Sequence, residues 1–204
     1  MYEVEATRGG MLQIIATDMS ATAASTPQLE ISADAALVAA VRAGDRDAFG
    51  RLYDAYSRMV HGILLARVPF GEVDDLVQDV FLVALRKIDS LRDANAFGPW
   101  LAMITRNRAM DFHRRSRDTA ELTDDLPAAS TAAPEAEATE VLNLIRLLPE
   151  AYREPLILRF VEGMTGPEIA ARTGLAPASV RVNIHRGMKL LRERLGETKF
   201  EREH

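Results

Sequence analysis

The chain has 204 residues, a formal net charge of −5 and no cysteine. The absence of cysteine excludes disulfide bonds, thiolate metal sites and a cysteine nucleophile, and no apolar run approaches the ~18 residues needed to span a bilayer. The length is enough for two small domains or one medium one. Because Ala, Leu and Arg are abundant, we expect a helical protein. Since the sequence shows neither a membrane-spanning run nor a signal peptide, we expect the protein in the cytoplasm.

The chain begins with a segment that carries no structural signal. Residues 1–33 lack periodicity and are rich in Ala, Thr and Ser, so we expect a disordered leader. Asp34 is predicted to cap a first helix that ends at Gly44, and Asp45 to cap a longer second helix. Three-to-four spacing predicts that these helices bury Leu37, Val38 and Val41, then Phe49, Leu52, Tyr53, Tyr56, Val60, Ile63 and Leu64.

A third amphipathic helix is predicted after a break at residues 69–71. Its outer face carries two apolar residues, Leu82 and Val83, which is typical of a partner-binding surface. Stray apolar residues on a solvated acidic face are the alternative. A fourth helix is predicted from about Pro99 to Arg115. The third helix should bury Val73, Leu76, Val77, Val80, Phe81, Ala84, Leu85 and Ile88.

Residues 118–135 have the composition of a linker, with acids, Ala and two prolines. A second helical block follows over residues 136–196, with a tail at 197–204. Since no strand alternation occurs, we predict an all-α fold of two small helical domains joined by a flexible acidic linker. Predicted inward positions of the second block are Val141, Leu142, Ile145 and Leu148, then, in a helix opened by Pro149 and ended by Gly163, Leu156, Ile157, Phe160 and Val161.

The second block ends in a pattern typical of a helix-turn-helix. Thr165 and Glu168 can form a capping box, Gly174 can end the first helix, and Pro177 suits the first turn of the next. That next helix should bury Val180, Ile184, Leu191 and Leu195 and expose Arg181, Asn183, Arg186 and Lys189. Such a motif lays its second helix in the DNA major groove, whereas a plain helical hairpin with a basic face is the alternative.

The charge is distributed in blocks. Residues 100–117 contain five arginines and one acid, and residues 177–195 contain five basic residues and one acid. Between them, residues 118–140 contain seven acids and no base. Two basic segments separated by an acidic one are expected in a protein that binds a polyanion at two points. The acidic segment should also compete with phosphate, so the free protein is expected to bind DNA poorly.

Several of these segments, in the same order, resemble the extracytoplasmic-function (ECF) sigma factors, the minimal two-domain branch of the sigma-70 family. The matching runs lie at residues 41–49, 74–81 and 100–107, and then at 148–150, 158–163 and the helix-turn-helix that ends in Ile184-His185-Arg186. The resemblance implies a protein that binds core RNA polymerase, directs it to promoter DNA with separate −10 and −35 elements, and is restrained by an anti-sigma factor.

The resemblance assigns residues 34–117 to sigma region 2 and residues 136–196 to sigma region 4. It implies that the third helix binds the polymerase clamp through Asp75, Gln78, Asp79, Leu82 and Arg86. It implies −10 contacts, including capture of an extruded base, from Asn95, Phe97, Arg106, Asn107, Arg108, Arg114 and Arg115. It implies −35 contacts from Thr165, Ser179, Arg181, Val182, His185, Arg186 and Lys189. Because Val182 and Asn183 replace the usual Ser and Arg, the base preference cannot be transferred.

Two other functions fit parts of the sequence. A conventional dimeric helix-turn-helix regulator explains the second block but gives neither Leu82 nor the basic segment at 100–117 a role. Asp74, Asp75 and Asp79 resemble the aspartate-rich helix of Mg²⁺-dependent diphosphate enzymes, but the first block lacks the second acidic cluster that such enzymes need. We therefore expect no catalytic residue, metal or cofactor.

Overall fold

The structure, a computed structural model, describes residues 27–120 and 133–202, with side chains described over 33–116 and 140–196. These residues form eight α-helices and three 3₁₀ turns, and none of them lies in a strand. The predicted all-α class is confirmed. The helices are α1 (Pro27–Arg42), α2 (Arg46–Leu65), α3 (Val73–Lys87), α4 (Phe97–Ala120), α5 (Ala133–Arg146), α6 (Glu150–Phe160), α7 (Gly166–Thr173) and α8 (Pro177–Arg202).

Helices α1–α4 form the first lobe and helices α5–α8 form the second lobe. Four predicted boundaries differ from the structure, because α1 begins at Pro27, α4 continues to Ala120, α5 begins at Ala133 and α8 continues to Arg202. Most of the predicted linker and leader, residues 121–132 and 1–26, lies outside the described residues. Over the described part of the chain, no helix is long and apolar enough to cross a membrane.

The start of α2 follows its sequence signal, whereas the start of α1 does not. Asp45 is the N-cap of α2, and its carboxylate accepts the backbone N–H groups of Asp47 at 2.9 Å and Ala48 at 3.1 Å. Asp34, predicted to cap α1, lies inside that helix and accepts a hydrogen bond from the Tyr56 hydroxyl. A tertiary contact therefore uses the carboxylate that the local pattern had assigned to a cap.

Aromatic rings occupy the centre of the first lobe. Phe97 is fully buried, with its ring 5.2 Å from that of Tyr56 and 5.8 Å from that of Trp100. Phe81 packs against Phe49 and Tyr53. Three side chains predicted to point inward are instead exposed, because they lie at the edge of a core face or beyond the last helical turn: Tyr53, Leu85 and Val161. Val83, predicted to point outward, is half-buried against the core.

The helix-turn-helix forms as its capping residues predict. Thr165 is the N-cap of α7: its backbone N–H donates to Glu168 Oε2 at 2.7 Å, and the Glu168 N–H donates to its Oγ1 at 3.3 Å. The backbone hydrogen bond from Thr165 lowers the pKa of Glu168. Gly174 ends α7 with φ of +75°, a conformation that glycine adopts without strain. The turn is therefore fixed at both ends by local chemistry.

The two lobes pack directly against each other, and their buried apolar side chains form one cluster. A Cβ atom at Gly62 of α2 would lie 2.7 Å from Leu158 Cδ2 of α6 and 2.8 Å from Glu162 Cγ, just after that helix. Arg146, at the end of α5, donates to the carbonyl oxygens of Leu65 at 3.0 Å and Val68 at 2.8 Å. The second lobe thus caps the C-terminus of a first-lobe helix.

A histidine also links the lobes. His61 Nδ1, on α2, lies 2.6 Å from Glu162 Oε1 of the second lobe. The hydrogen bond with Glu162 raises the pKa of His61 against the opposing effect of burial, and the charges of Glu162 and Asp74 raise it further. The protonated imidazole is therefore favoured in the folded state.

We expect Thr165→Ala to lower the free energy of unfolding by about 1 kcal/mol, because the capping box loses its hydroxyl. Urea unfolding monitored by circular dichroism measures this change. Thr165→Ser keeps the hydroxyl and is the matched control. Equal losses in both variants would contradict a capping role.

We expect the stability contributed by His61 to be fully present below its unfolded pKa of about 6.5 and to be lost as the pH rises through its higher folded pKa. The free energy of unfolding of the wild-type protein should therefore fall more between about pH 6 and pH 9 than that of His61→Gln. Urea titrations across this range measure the slopes. A slope in His61→Gln equal to that of the wild-type protein would contradict this role of His61.

Candidate nucleic-acid interface

The predicted recognition helix, α8, presents an exposed surface that is polar except at Val182. Its apolar side chains face α6, and Gly187 permits the close approach, since a Cβ atom there would lie 2.8 Å from Leu156 Cδ1 and 3.0 Å from Tyr152 Cβ. The opposite face is open to solvent. The residues predicted to contact the −35 element are all exposed, namely Ser179, Arg181, Val182, His185, Arg186 and Lys189 on α8 and Thr165 before α7.

Two members of this set already have local partners. The Thr165 hydroxyl lies 2.7 Å from Glu168 Oε2 within the capping box, and the Lys189 ammonium lies 4.0 Å from Glu193 Oε1 one helical turn away. The Lys189–Glu193 contact is an exposed ion pair, and pairs of this kind contribute little free energy. Neither contact removes the side chain from solvent.

The residues predicted to contact the −10 element are of three kinds: exposed side chains, the buried Phe97, and two arginines, Arg106 and Arg108, that pair with carboxylates. Asn95 and Asn107 are exposed, and the Asn95 amide donates to Asp93 Oδ1 at 3.1 Å. Arg114 is 72% exposed and pairs with Asp111 at 3.0 Å. Arg115 is also exposed. These four side chains stay accessible on or beside α4.

Phe97 does not belong to this surface. Its ring is fully buried between Tyr56 and Trp100, so the prediction that it contacts the −10 element is wrong. The ring packs in the first-lobe core at the start of α4, directly after the 3₁₀ turn at Ala94–Ala96.

Arg108 and Asp79 connect α4 to α3. Arg108 Nη2 lies 3.3 Å from Asp79 Oδ1 and 3.2 Å from Oδ2, and its side chain is 22% exposed. One of these residues was predicted for DNA and the other for polymerase. The contact therefore joins the two predicted surfaces at a single ion pair.

The outer face of α3 is open. Asp75, Gln78, Leu82 and Arg86 are exposed there, and Leu82 is 51% exposed. Leu85, at 43% exposed, extends the apolar part of this face. Within the described residues, no group of three or more His, Asp or Glu side chains is arranged to hold a metal ion.

Arg106 has the least expected environment of the predicted set. Its Nε donates to Glu154 Oε2 at 3.1 Å and its Nη2 to Oε1 at 2.6 Å, so that the guanidinium and the carboxylate meet in a bidentate pair. Glu154 belongs to α6 in the second lobe. The sequence had suggested the acidic linker as the competitor of DNA phosphate, whereas the carboxylate that contacts Arg106 comes from α6.

The same carboxylate binds a second arginine of the first lobe. Arg67 Nη2 donates to Glu154 Oε2 at 2.9 Å, and Arg67 also donates to Glu150. Burial alone would lower the pKa of Arg67, but the hydrogen bonds and charges of Glu150 and Glu154 raise it. The Arg67 contact in turn lowers the pKa of Glu150. Sequence reasoning missed this cluster, and its one signal is a glutamate that precedes the buried run Pro155–Leu158.

Family models match both lobes. The model described as Sigma-70 region 2 matches residues 52–119, and the model described as Sigma-70, region 4 matches residues 138–191. The two matches fall on the lobe that carries α3 and α4 and on the lobe that carries the helix-turn-helix.

Individual relatives agree with the family models. The RNA polymerase sigma factor CarQ of Myxococcus xanthus is 34% identical over 167 residues, covering 78% of this chain and 96% of CarQ. The ECF RNA polymerase sigma-E factor of Haemophilus influenzae is 30% identical over 179 residues, covering 79% of this chain and 95% of that protein. The structure of CnrH in complex with the cytosolic domain of CnrY matches with a TM-score of 0.60 and 28% identity, covering 81% of this chain and 98% of that chain. The chain therefore belongs to the ECF group of sigma-70 family RNA polymerase sigma factors, which act in promoter-specific transcription initiation.

Proposed function

We propose that α8 reads the −35 element of promoter DNA, that α4 and the turn before it open the −10 element, and that α3 binds core RNA polymerase. The observation that carries this proposal is the exposed row of basic and polar side chains on α8, which includes Arg181, His185 and Arg186. An arginine in the major groove can pair with guanine O6 and N7 and contributes about 1–3 kcal/mol of discrimination. We assign phosphate contacts to Lys189 and Thr165, which are both exposed.

The accessible residues of α4 suit single-stranded DNA. Opening a promoter costs a few kcal/mol for each unstacked base step, which contacts to the separated strand must offset. Asn95 and Asn107 offer hydrogen-bonding groups for an extruded base, and Arg114 and Arg115 offer charge for the flanking phosphates. Phe97 has no part in this surface because its ring lies in the core.

The outer face of α3 suits a protein partner. Leu82 and Leu85 lie among Asp75, Gln78 and Arg86, so that an apolar centre is bordered by polar groups. A polymerase surface that covers this face would bury both leucines.

The two promoter elements cannot be contacted together while the lobes are packed against each other. Elements centred about 25 base pairs apart are separated by roughly 85 Å of straight duplex, whereas a compact chain of 204 residues has a radius of gyration of about 17 Å. Polymerase therefore separates the lobes when it holds the protein on a promoter.

The proposal extends to location, partners and chemistry. The protein works in the cytoplasm, has no enzymatic activity of its own and needs no cofactor. The family resemblance implies that an anti-sigma factor restrains it, and CnrH was solved in complex with the cytosolic domain of CnrY. A dimeric regulator would leave the first lobe unexplained, although that lobe carries the Sigma-70 region 2 match.

Promoter opening tests this function. Promoters would be located by mapping the transcripts that overexpression induces, and then combined with core polymerase and the protein. We expect new permanganate-reactive thymines near −10 only when both proteins are present. Arg181→Ala should weaken promoter binding roughly five- to hundredfold, whereas Arg46→Ala, an exposed arginine at the start of α2, should not. A shift of duplex DNA without polymerase and without reactive thymines would instead indicate a conventional regulator.

Polymerase binding tests the role of α3. We expect Leu82→Ala to weaken binding to core polymerase about fivefold or more, because about 1 kcal/mol of apolar burial is lost. Titration of labelled protein with core polymerase measures this change. Leu147→Ala, which removes an exposed leucine from the second lobe, is the matched control. Equal affinity for all three proteins would contradict the assignment of α3.

A further inference from the structure

Glu154 is the buried centre of the contact between the lobes. Its side chain is 5% exposed, and its two carboxylate oxygens accept hydrogen bonds from Arg106 of α4 and from Arg67, which follows α2. A carboxylate removed from water keeps its charge only when cations compensate it. Since both cations come from the first lobe, this compensation exists only while the lobes are packed together.

The contact removes Arg106 from the surface that would meet DNA. Its side chain is 26% exposed, whereas that of Arg114, two turns further along α4, is 72% exposed. The Arg106 guanidinium also lies within 3.5 Å of the Thr173 carbonyl oxygen at the end of α7. Its donors are therefore directed at the second lobe, and a phosphate could reach them only in place of Glu154.

The junction is one that can open. A buried ion pair gains little net free energy over its hydrated ions, because desolvation offsets the attraction. A cavity of about 200 Å³ lies beside it, lined in part by Arg67, His113, Glu150 and Glu154. Phosphate accepts the same bidentate arginine contacts as a carboxylate. Arg106 can therefore exchange Glu154 for a phosphate when the lobes separate.

We propose that Glu154 is an intramolecular latch: it holds the second lobe over Arg106 and so withholds this arginine from the separated −10 strand in the free protein. The proposal depends on the function proposed above only for the role of Arg106 in binding DNA. The latch is one-sided, because the predicted −35 surface on α8 stays exposed in the closed arrangement. It also needs no acidic linker, since its carboxylate comes from α6.

Two variants open the latch by different means. Glu154→Gln removes the charge while preserving the shape of the side chain. Gly62→Ala leaves every charge in place but puts a methyl group 2.7 Å from Leu158 Cδ2 and 2.8 Å from Glu162 Cγ, so that α6 must move. Gly50→Ala is the matched control, because it makes the same change in the same helix where nothing lies within 4 Å. Both alanines raise helix propensity equally.

The position of the lobes can be measured without DNA. The chain has no cysteine, so Ala36→Cys on α1 and Ala178→Cys on α8, both exposed, give one labelling site in each lobe of the full-length protein. We expect electron-spin distance measurements to show a longer mean distance in Glu154→Gln and Gly62→Ala than in the wild type and Gly50→Ala. Unchanged distances in both variants would overturn the latch.

The masking of Arg106 is measured on the unlabelled proteins with a mixed-sequence single-stranded 12-mer. We expect both opened variants to bind it about threefold or more tightly than the wild type, with a salt slope steeper by about 0.7 for the added phosphate contact. Adding Arg106→Ala should abolish both gains.

Opened variants that gain no affinity, or that keep the gain without Arg106, would overturn the masking. These outcomes are separate from failure of the sigma-factor assignment, which would appear as the absence of polymerase-dependent promoter opening in the wild-type protein.

Discussion

The arrangement of this molecule depends on how one buried carboxylate is compensated. Glu154 lies where two lobes meet, and the guanidinium groups of Arg67 and Arg106 reach it from the opposite side. If either arginine moved away, the buried Glu154 carboxylate would lose part of its compensation. The contact therefore specifies the relative position of the lobes. Its net free energy is nevertheless small, because both ions regain hydration when the lobes separate. A contact that is specific and weak suits a protein whose two lobes take different relative positions in the free state and in the proposed complex with polymerase.

The two proposed DNA-binding surfaces, on α8 and on α4, differ in how far their arginines are exposed to solvent. The predicted −35 residues of α8 are all exposed, whereas α4 has one arginine covered by the second lobe and another, Arg108, paired with Asp79 of α3. The predicted DNA-binding arginines of the first lobe are therefore less accessible than those of the second lobe. The Asp79–Arg108 pair also connects α3, the proposed polymerase-binding helix, with α4, the proposed DNA-binding helix.

Local chemistry was predictable from the sequence, and contacts between distant residues were not. The caps at Asp45 and Thr165 and the left-handed Gly174 were predicted correctly, because their partners lie within four residues along the chain. Helical spacing correctly predicted that Arg181, Arg186 and Lys189 of α8 are exposed, whereas Asn183, predicted to be exposed, is half-buried. Asp34 and Phe97 were assigned wrongly because a hydrogen bond from the Tyr56 hydroxyl and packing against the Tyr56 ring decided their roles.

Helical periodicity in the sequence could not predict the charged contacts between the lobes. Arg106 and Glu154 are 48 residues apart, and Arg67 and Glu154 are 87 apart. Within its own segment, each of these side chains has the pattern of an ordinary surface residue. Arg146 has the same character. Arg146 caps the end of α2 by donating to the carbonyl oxygens of Leu65 and Val68, which lie 81 and 78 residues away along the chain. The end of a first-lobe helix is thus capped by a residue of the second lobe. When the lobes separate, water must replace Arg146 as the hydrogen-bond donor to these two carbonyl oxygens.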